Sequence, residues 1–149
     1  MTLGVDTDVL VNWVMAGAPN HQASRELLER EVRKNGSQLG VVLQTLLEFQ
    51  HISTDPRRFE EPLTMAKALE WSQVIWDSKE VVRILPRASV LPRVVDLMKR
   101  HSLGRKRILD TALAATLEGS DVRRLATLNR KDFEVFSFLE LISPGEIDV

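Results

Sequence analysis

Leu3-Gly4-Val5-Asp6-Thr7-Asp8-Val9-Leu10-Val11 is the stretch on which the reading of this chain turns. An apolar run enters, an aspartate stops it, and an apolar run resumes at helical spacing. A buried strand that ends in a carboxylate and turns into a helix has this pattern. In an open parallel sheet, ligands bind in the crevice outside the carboxyl ends of the strands. A carboxylate directly ending an apolar strand also needs a partner, because burying it alone is costly. Asp6 is therefore the candidate first ligand of a metal site that acids from later in the chain must complete.

Outward from that stretch, Val9 to Met15 predicts one or two helical turns stopped at Gly17. Asn20 stands where a helix cap should, ahead of an apolar stripe at Leu27, Leu28 and Val32 that Gly36 ends. Gln38 to Leu43 reads as a second strand, followed by a helix that Thr45 could cap and that carries Leu46, Leu47, Phe49 and Ile52. Asp55-Pro56 breaks it. Met65, Ala68, Leu69, Ser72 and Trp76 share one face of the next helix, and Val81 to Leu85 predicts a third strand. Leu91, Val94, Val95 and Met98 form a stripe closed by Lys99, Arg100 and His101, with Gly104 as the stop. Arg105-Lys106-Arg107 reads as a basic loop before an alanine-rich helix, Leu109 to Leu117, whose small side chains allow close approach to a sheet. Leu125 to Leu128 predicts a fourth strand and Phe138 to Ile142 an edge strand. Strands alternating with helices imply an α/β fold, a three-layer α/β/α sandwich with a mainly parallel central sheet.

The 149 residues suit a single domain spanning 1–149, long enough to bury about two-thirds of its unfolded surface. An apolar fraction of 44% and a charged fraction of 28% are ordinary for a globular chain. The absence of cysteine excludes disulfides and thiolate metal sites. A net charge of −1 provides no global basic field, so contact with nucleic acid must use a local patch. Nothing in the sequence reads as a signal peptide or membrane span, and a soluble, cytoplasmic protein is expected. No nucleophile elbow or phosphate-cradling glycine loop is present.

Four acidic positions fall where such a sheet could gather them. Asp6 follows strand one, Glu48 lies early in the helix after strand two, Asp110 opens the alanine-rich helix, and Asp132 follows strand four, with the amide of Asn129 just before it. Each has an ordinary reading when taken alone: a helix cap for Asp110 and Asp132, a solvated helix side chain for Glu48. Together they mean something else. Carboxylates that converge raise one another's pKa, and a cluster of them is stable chiefly around a divalent cation. With oxygen donors only, the expected ion is Mg²⁺ or Mn²⁺ rather than zinc.

The strings VDTDVLVNW, LLEF, ILDTALAATLE and LATLNRKDF, in this order and spacing, resemble the PIN domain. The likeness is specifically to VapC-type toxin ribonucleases of prokaryotic toxin–antitoxin pairs. The middle stretch HISTDPRRFEEPLTMAKAL is similar to the corresponding region of one VapC subgroup, so the resemblance runs nearly end to end. It implies that Asp6 is the family's first acid with Thr7 beside it, Glu48 the second and Asp110 the third. The threonine before the fourth acid matches Thr127. Two residues on, where the family often has an acid, this chain has Asn129, and five residues on Asp132 matches another common variant. Position 8, more usually asparagine or serine, is aspartate here.

What the resemblance implies is a metal-dependent endoribonuclease. Asp6, Asp110 and Asp132 would be metal ligands, Glu48 would bind through water or orient the attacking water, and Asn129 would assist a second ion. RNA would be the substrate, a small VapB-like antitoxin chain the inhibitor, and a homodimer the assembly. Arg105, Lys106, Arg107, Arg130 and Lys131, each just ahead of a catalytic acid, are candidate phosphate contacts; a solvated basic loop is the other reading. The three histidines lack metal-ligand spacing, and Trp13, Trp71 and Trp76 read as core or dimer contacts.

Two other readings are weighed against it. Asp6-Thr7-Asp8 also matches the D-x-D opening of haloacid-dehalogenase-type phosphohydrolases, but those enzymes need a terminal acidic pair and would leave Glu48 idle. A PIN-like scaffold that binds a partner without cutting RNA is the non-catalytic alternative.

Overall fold

Asp6 both ends the first strand and starts the first helix, and the rest of the architecture follows from that junction. The computed structural model describes residues 1–34 and 36–145. The elements run β1 (Thr2–Val5), α1 (Thr7–Val14), α2 (His21–Arg33), β2 (Gln38–Val42), α3 (Leu43–Ser53), α4 (Met65–Asp77), β3 (Val81–Ile84), α5 (Val90–Arg100), a 3₁₀ turn (Arg105–Arg107), α6 (Ile108–Gly119), β4 (Arg124–Ala126), α7 (Arg130–Phe133) and β5 (Glu140–Ile142). The sheet order is β3-β2-β1-β4-β5, with every pairing parallel. Chain order reverses on either side of β1, which places the switch point of the sheet at the end of that strand.

Strand alternation sends successive side chains to opposite faces. Leu3, Val5, Val41 and Ala126 meet α1, α2, α3 and α4 on one face. Val42, Ile84 and Leu125 meet α5, α6 and the α7 region on the other. The expected α/β/α layering is borne out, and the sheet is entirely parallel among the described residues. Ala114 and Ala115 of α6 are buried, and a Cβ at Gly4 would stand 3.1 Å from Leu117 and from the Arg124 carbonyl. The small residues of strand and helix thus give α6 its close seat.

Several local expectations shift. Helix α1 begins at Thr7 rather than Val9 because the Asp6 carboxylate caps it. Thr45 lies buried inside α3, whose N-cap is Val42, so it caps nothing. Asn20 occupies the cap position of α2 without a side-chain cap bond. The basic residues 105–107 form a 3₁₀ turn rather than a loop. On α5 the inward row is Val90, Val94 and Leu97, while Leu91 and Val95 face out. On α4 it is Ala68, Ser72 and Ile75, leaving Met65 and Leu69 half exposed. Two adjacent apolar rows were available on each helix, and packing against the sheet chose between them.

Candidate active site

Asp6 is tied down from three sides. Its N–H donates to the Ala126 carbonyl of β4 at 2.9 Å, one carboxylate oxygen accepts from the Thr7 N–H at 2.8 Å, and the other accepts from the Thr127 hydroxyl at 2.9 Å. Thr127 is itself fully buried just past β4; its N–H donates to the Ile142 carbonyl and its hydroxyl accepts from the Asn129 N–H at 3.0 Å. The orientation of Asp6 is therefore set by β1, α1 and β4 together. Burial pushes its carboxyl up to about 7, with Asp8 and Asp110 adding repulsion and the Thr127 and Thr7 hydrogen bonds working the other way.

Glu48 comes in from α3. Its oxygens accept from the Thr7 hydroxyl at 3.3 Å and from Gln44 Nε2 at 2.6 Å, so Thr7 links the first and second acids. Asp110 lies in the first turn of α6, whose N-cap is Arg107, so it is not a helix cap. Burial pushes Asp110 up to about 6, helped by repulsion from Asp132, Glu48 and Asp8 and partly offset by Arg107. These mutual repulsions come from acids on α1, α3, α6 and α7 facing one mouth at the carboxyl edge of the sheet. Asp132, in α7, is half exposed.

The basic candidates divide. Arg105, Lys106, Arg130 and Lys131 are exposed around the acids. Arg107 instead turns inward, with Nε 3.8 Å from an Asp110 oxygen, Nη1 4.0 Å from an Asp132 oxygen, and Nη2 donating to the Asp132 carbonyl. It acts as an internal counter-ion. Gln44 belongs to no motif, and its only sequence signal is its position four residues before Glu48 on the same helix face.

The donor set is all oxygen, and its two most deeply set carboxyls are held near neutrality by burial and like charge, which suits a hard divalent cation. Among the described residues no three acidic or histidine side chains are arranged to hold an ion by themselves. Mg²⁺ keeps several waters and is commonly bound through one or two carboxylates together with substrate phosphate. Asp6 and Asp110 are the residues that would hold it.

A model of the PIN domain matches residues 4–139. The chain belongs to the PIN-domain family. This PIN domain is 26% identical to ribonuclease VapC24 of Mycobacterium tuberculosis over 142 residues, covering 95% of the chain and 96% of that protein. Its fold is similar to that of VapC20 from the same organism, described as a toxin that cleaves the sarcin–ricin loop. The TM-score is 0.63 at 17% identity, covering 83% of this chain and 86% of that one. It is also similar to a chain in a toxin–antitoxin complex from Klebsiella pneumoniae (TM-score 0.64, 19% identity, covering 97% and 99%). The resemblance to VapC-type PIN domains read from the four motifs is borne out. Among the described residues, no helix of this PIN domain is long and apolar enough to cross a membrane.

Proposed function

We propose that this PIN domain is a metal-dependent endoribonuclease of the VapC kind, restrained by a separate antitoxin chain. The observation that carries the reading is Asp6: a buried carboxylate at the sheet's switch point, fixed by Thr7 and Thr127, feeling the charge of Asp110, and linked through Thr7 to Glu48. Asp6 and Asp110 would hold a Mg²⁺ or Mn²⁺ ion, with Asp132 at a second position, and such an ion would supply Lewis-acid polarisation of water and charge neutralisation at the phosphodiester.

The chain's own groups do the rest. Thr7 and Gln44 hold the Glu48 carboxylate in place, so that it orients a water and accepts the proton it loses on attacking phosphorus. The P–O bond opposite the water breaks, and the proton passes to the departing oxygen. Arg105, Lys106, Arg130 and Lys131 steer the phosphate backbone across the acids, which alone would repel it. Exposed Leu47, Leu69, Val95, Ile108 and Leu109 offer apolar surface for an antitoxin segment and a second copy of the chain to cover. The likeness to a chain of a toxin–antitoxin complex supports the partner, and the VapC relatives support RNA as the substrate.

The test is gel-resolved cleavage of a labelled structured RNA in Mg²⁺, in Mn²⁺ and in excess chelator. Cleavage is expected with either ion and absent with chelator, and Glu48→Gln should be slower by ~10²-fold or more. Equal cleavage in chelator, or a Glu48→Gln variant at the wild-type rate, contradicts the reading.

A further inference from the structure

On the face of the sheet that α1 to α4 cover, the packing leaves a cavity of about 180 Å³ between α2 and α4. Val5, Val41 and Val81, from three neighbouring strands, form its floor. Leu28 and Val32 of α2 form one wall and Ile75 of α4 the other. None of the acids at the carboxyl edge of the sheet lines it, so it is separate from the active-site mouth.

Two contacts hold the bounding helices in place. Trp13 of α1, which also lines the cavity, stands edge-on to Trp71 of α4 with ring centroids 5.5 Å apart. Near the end of α2, the buried Glu31 carboxylate accepts from Arg124 of β4 and from the Ser37 hydroxyl. Closing the helices over the gap would break the aromatic pair or pull a buried charge from its partner, and both are costly. The space is therefore part of the packing.

Its chemistry narrows what can fill it. Ordered water needs two to four polar partners, and these walls are hydrocarbon. At the mouth, Glu29 is already paired with Arg25, and Glu80 accepts from the Ser78 hydroxyl. An anion would meet both carboxylates, and a cation gains little from charges that are paired or fully solvated. An uncharged molecule remains. An apolar cavity of about 150 Å³ stays dry and binds benzene, so this one has room for an aromatic ring with a short alkyl group.

We propose that the cavity between α2 and α4 is a binding site for a free, uncharged molecule the size of one alkylated aromatic ring. The inference uses none of the acids on which the nuclease reading rests, and each stands or falls without the other.

The experiment is calorimetric melting of the full chain with toluene, and with N-acetylphenylalaninamide, which carries the same ring on a peptide backbone. Wild type, Val32→Phe and Val81→Phe are compared; each variant fills the cavity from a different side, and its ligand-free melt reports whether it folds. A ligand that binds only the folded state raises the melting temperature, and about 1 mM toluene is expected to raise that of wild type by ~2–4 °C. Both filling variants are expected to lose the shift, and the amide is expected to give none. If wild type shows no shift up to toluene saturation, the cavity is only a tolerated void and the proposal fails. It fails equally if a folded filling variant keeps the shift, because the ring then binds elsewhere. An equal shift with the amide overturns it too, by making the space a groove for a side chain of a partner. Should neither variant fold, toluene-soaked crystals of wild type decide: a ring between α2 and α4 supports the site, and its absence there refutes it.

Discussion

Two buried acids in this molecule are set in opposite senses. Asp6 is raised by burial to about 7, while Glu31 is held down at about 2. Burial also works against the Glu31 charge, but Arg124, Ser37 and Lys34 all bond to it and overcome that cost. The signs follow from linkage. Glu31 binds its proton less tightly folded than unfolded, so its contribution is present above its ordinary pKa of 4.5 and is lost as pH falls towards about 2. Asp6 binds its proton more tightly folded than unfolded, so its contribution is present below its ordinary 3.8 and is lost as pH rises through about 7. Denaturant unfolding of metal-free protein across pH should therefore show stability climbing between about 2 and 4.5 and declining towards about 7. Asp110, raised to about 6, acts in the same sense, so Asp6→Asn should shrink the decline without removing it and leave the acid limb intact. An undiminished decline in Asp6→Asn assigns it to other groups. The raised Asp6 follows from a carboxylate that ends an apolar strand among converging acids, but the Glu31 setting was not legible in the sequence. Glu31 reads as one more charged position in a charged helix, and its partner Arg124 lies 93 residues away.

Elements were legible where local chemistry and packing agreed. The β1–α1 junction, the four glycine- or proline-marked helix ends and the alanine-rich α6 are placed within a few residues of where patterning put them. The misses share a cause. Thr45 has the right chemistry for a cap, but β2 hands over to α3 at Val42, and the threonine is drawn into the helix. On α4 and α5 the apolar residues fill two neighbouring rows, and only the sheet decides which is buried. The seat of α6 on the sheet gives a prediction at this scale. Gly4→Ala brings a Cβ to 3.1 Å from the Leu117 side chain and the Arg124 carbonyl; the leucine can turn, but the carbonyl belongs to the β4 ladder. Overpacking of this kind costs about 1–3 kcal/mol. Urea unfolding should show the midpoint falling with an unchanged slope, and an unchanged midpoint would mean that α6 has room to move away.

At the scale of the whole molecule, the order β3-β2-β1-β4-β5 is what turns scattered acids into a site. It puts the ends of β1 and β4 side by side, so Asp6 and Thr127 meet, and it brings α3 and α6 to the same edge from opposite faces. Asp6, Asp110 and Asp132 could be picked out from sequence because each follows a strand or lies at the start of a helix, whereas Glu48, in the second turn of α3, stands out only through the resemblance. The supports of these acids could not be picked out. Gln44 on Glu48, Arg107 between Asp110 and Asp132, and Asn129 on Asp8 are contacts of the folded chain, with no motif to announce them. If this edge holds a divalent cation between strand and helix acids, anomalous diffraction from Mn²⁺-soaked crystals will reveal it. A manganese peak flanked by the carboxylates of Asp6 and Asp110 is the expected result. A well-occupied manganese elsewhere, or none at this edge at millimolar Mn²⁺, would contradict it.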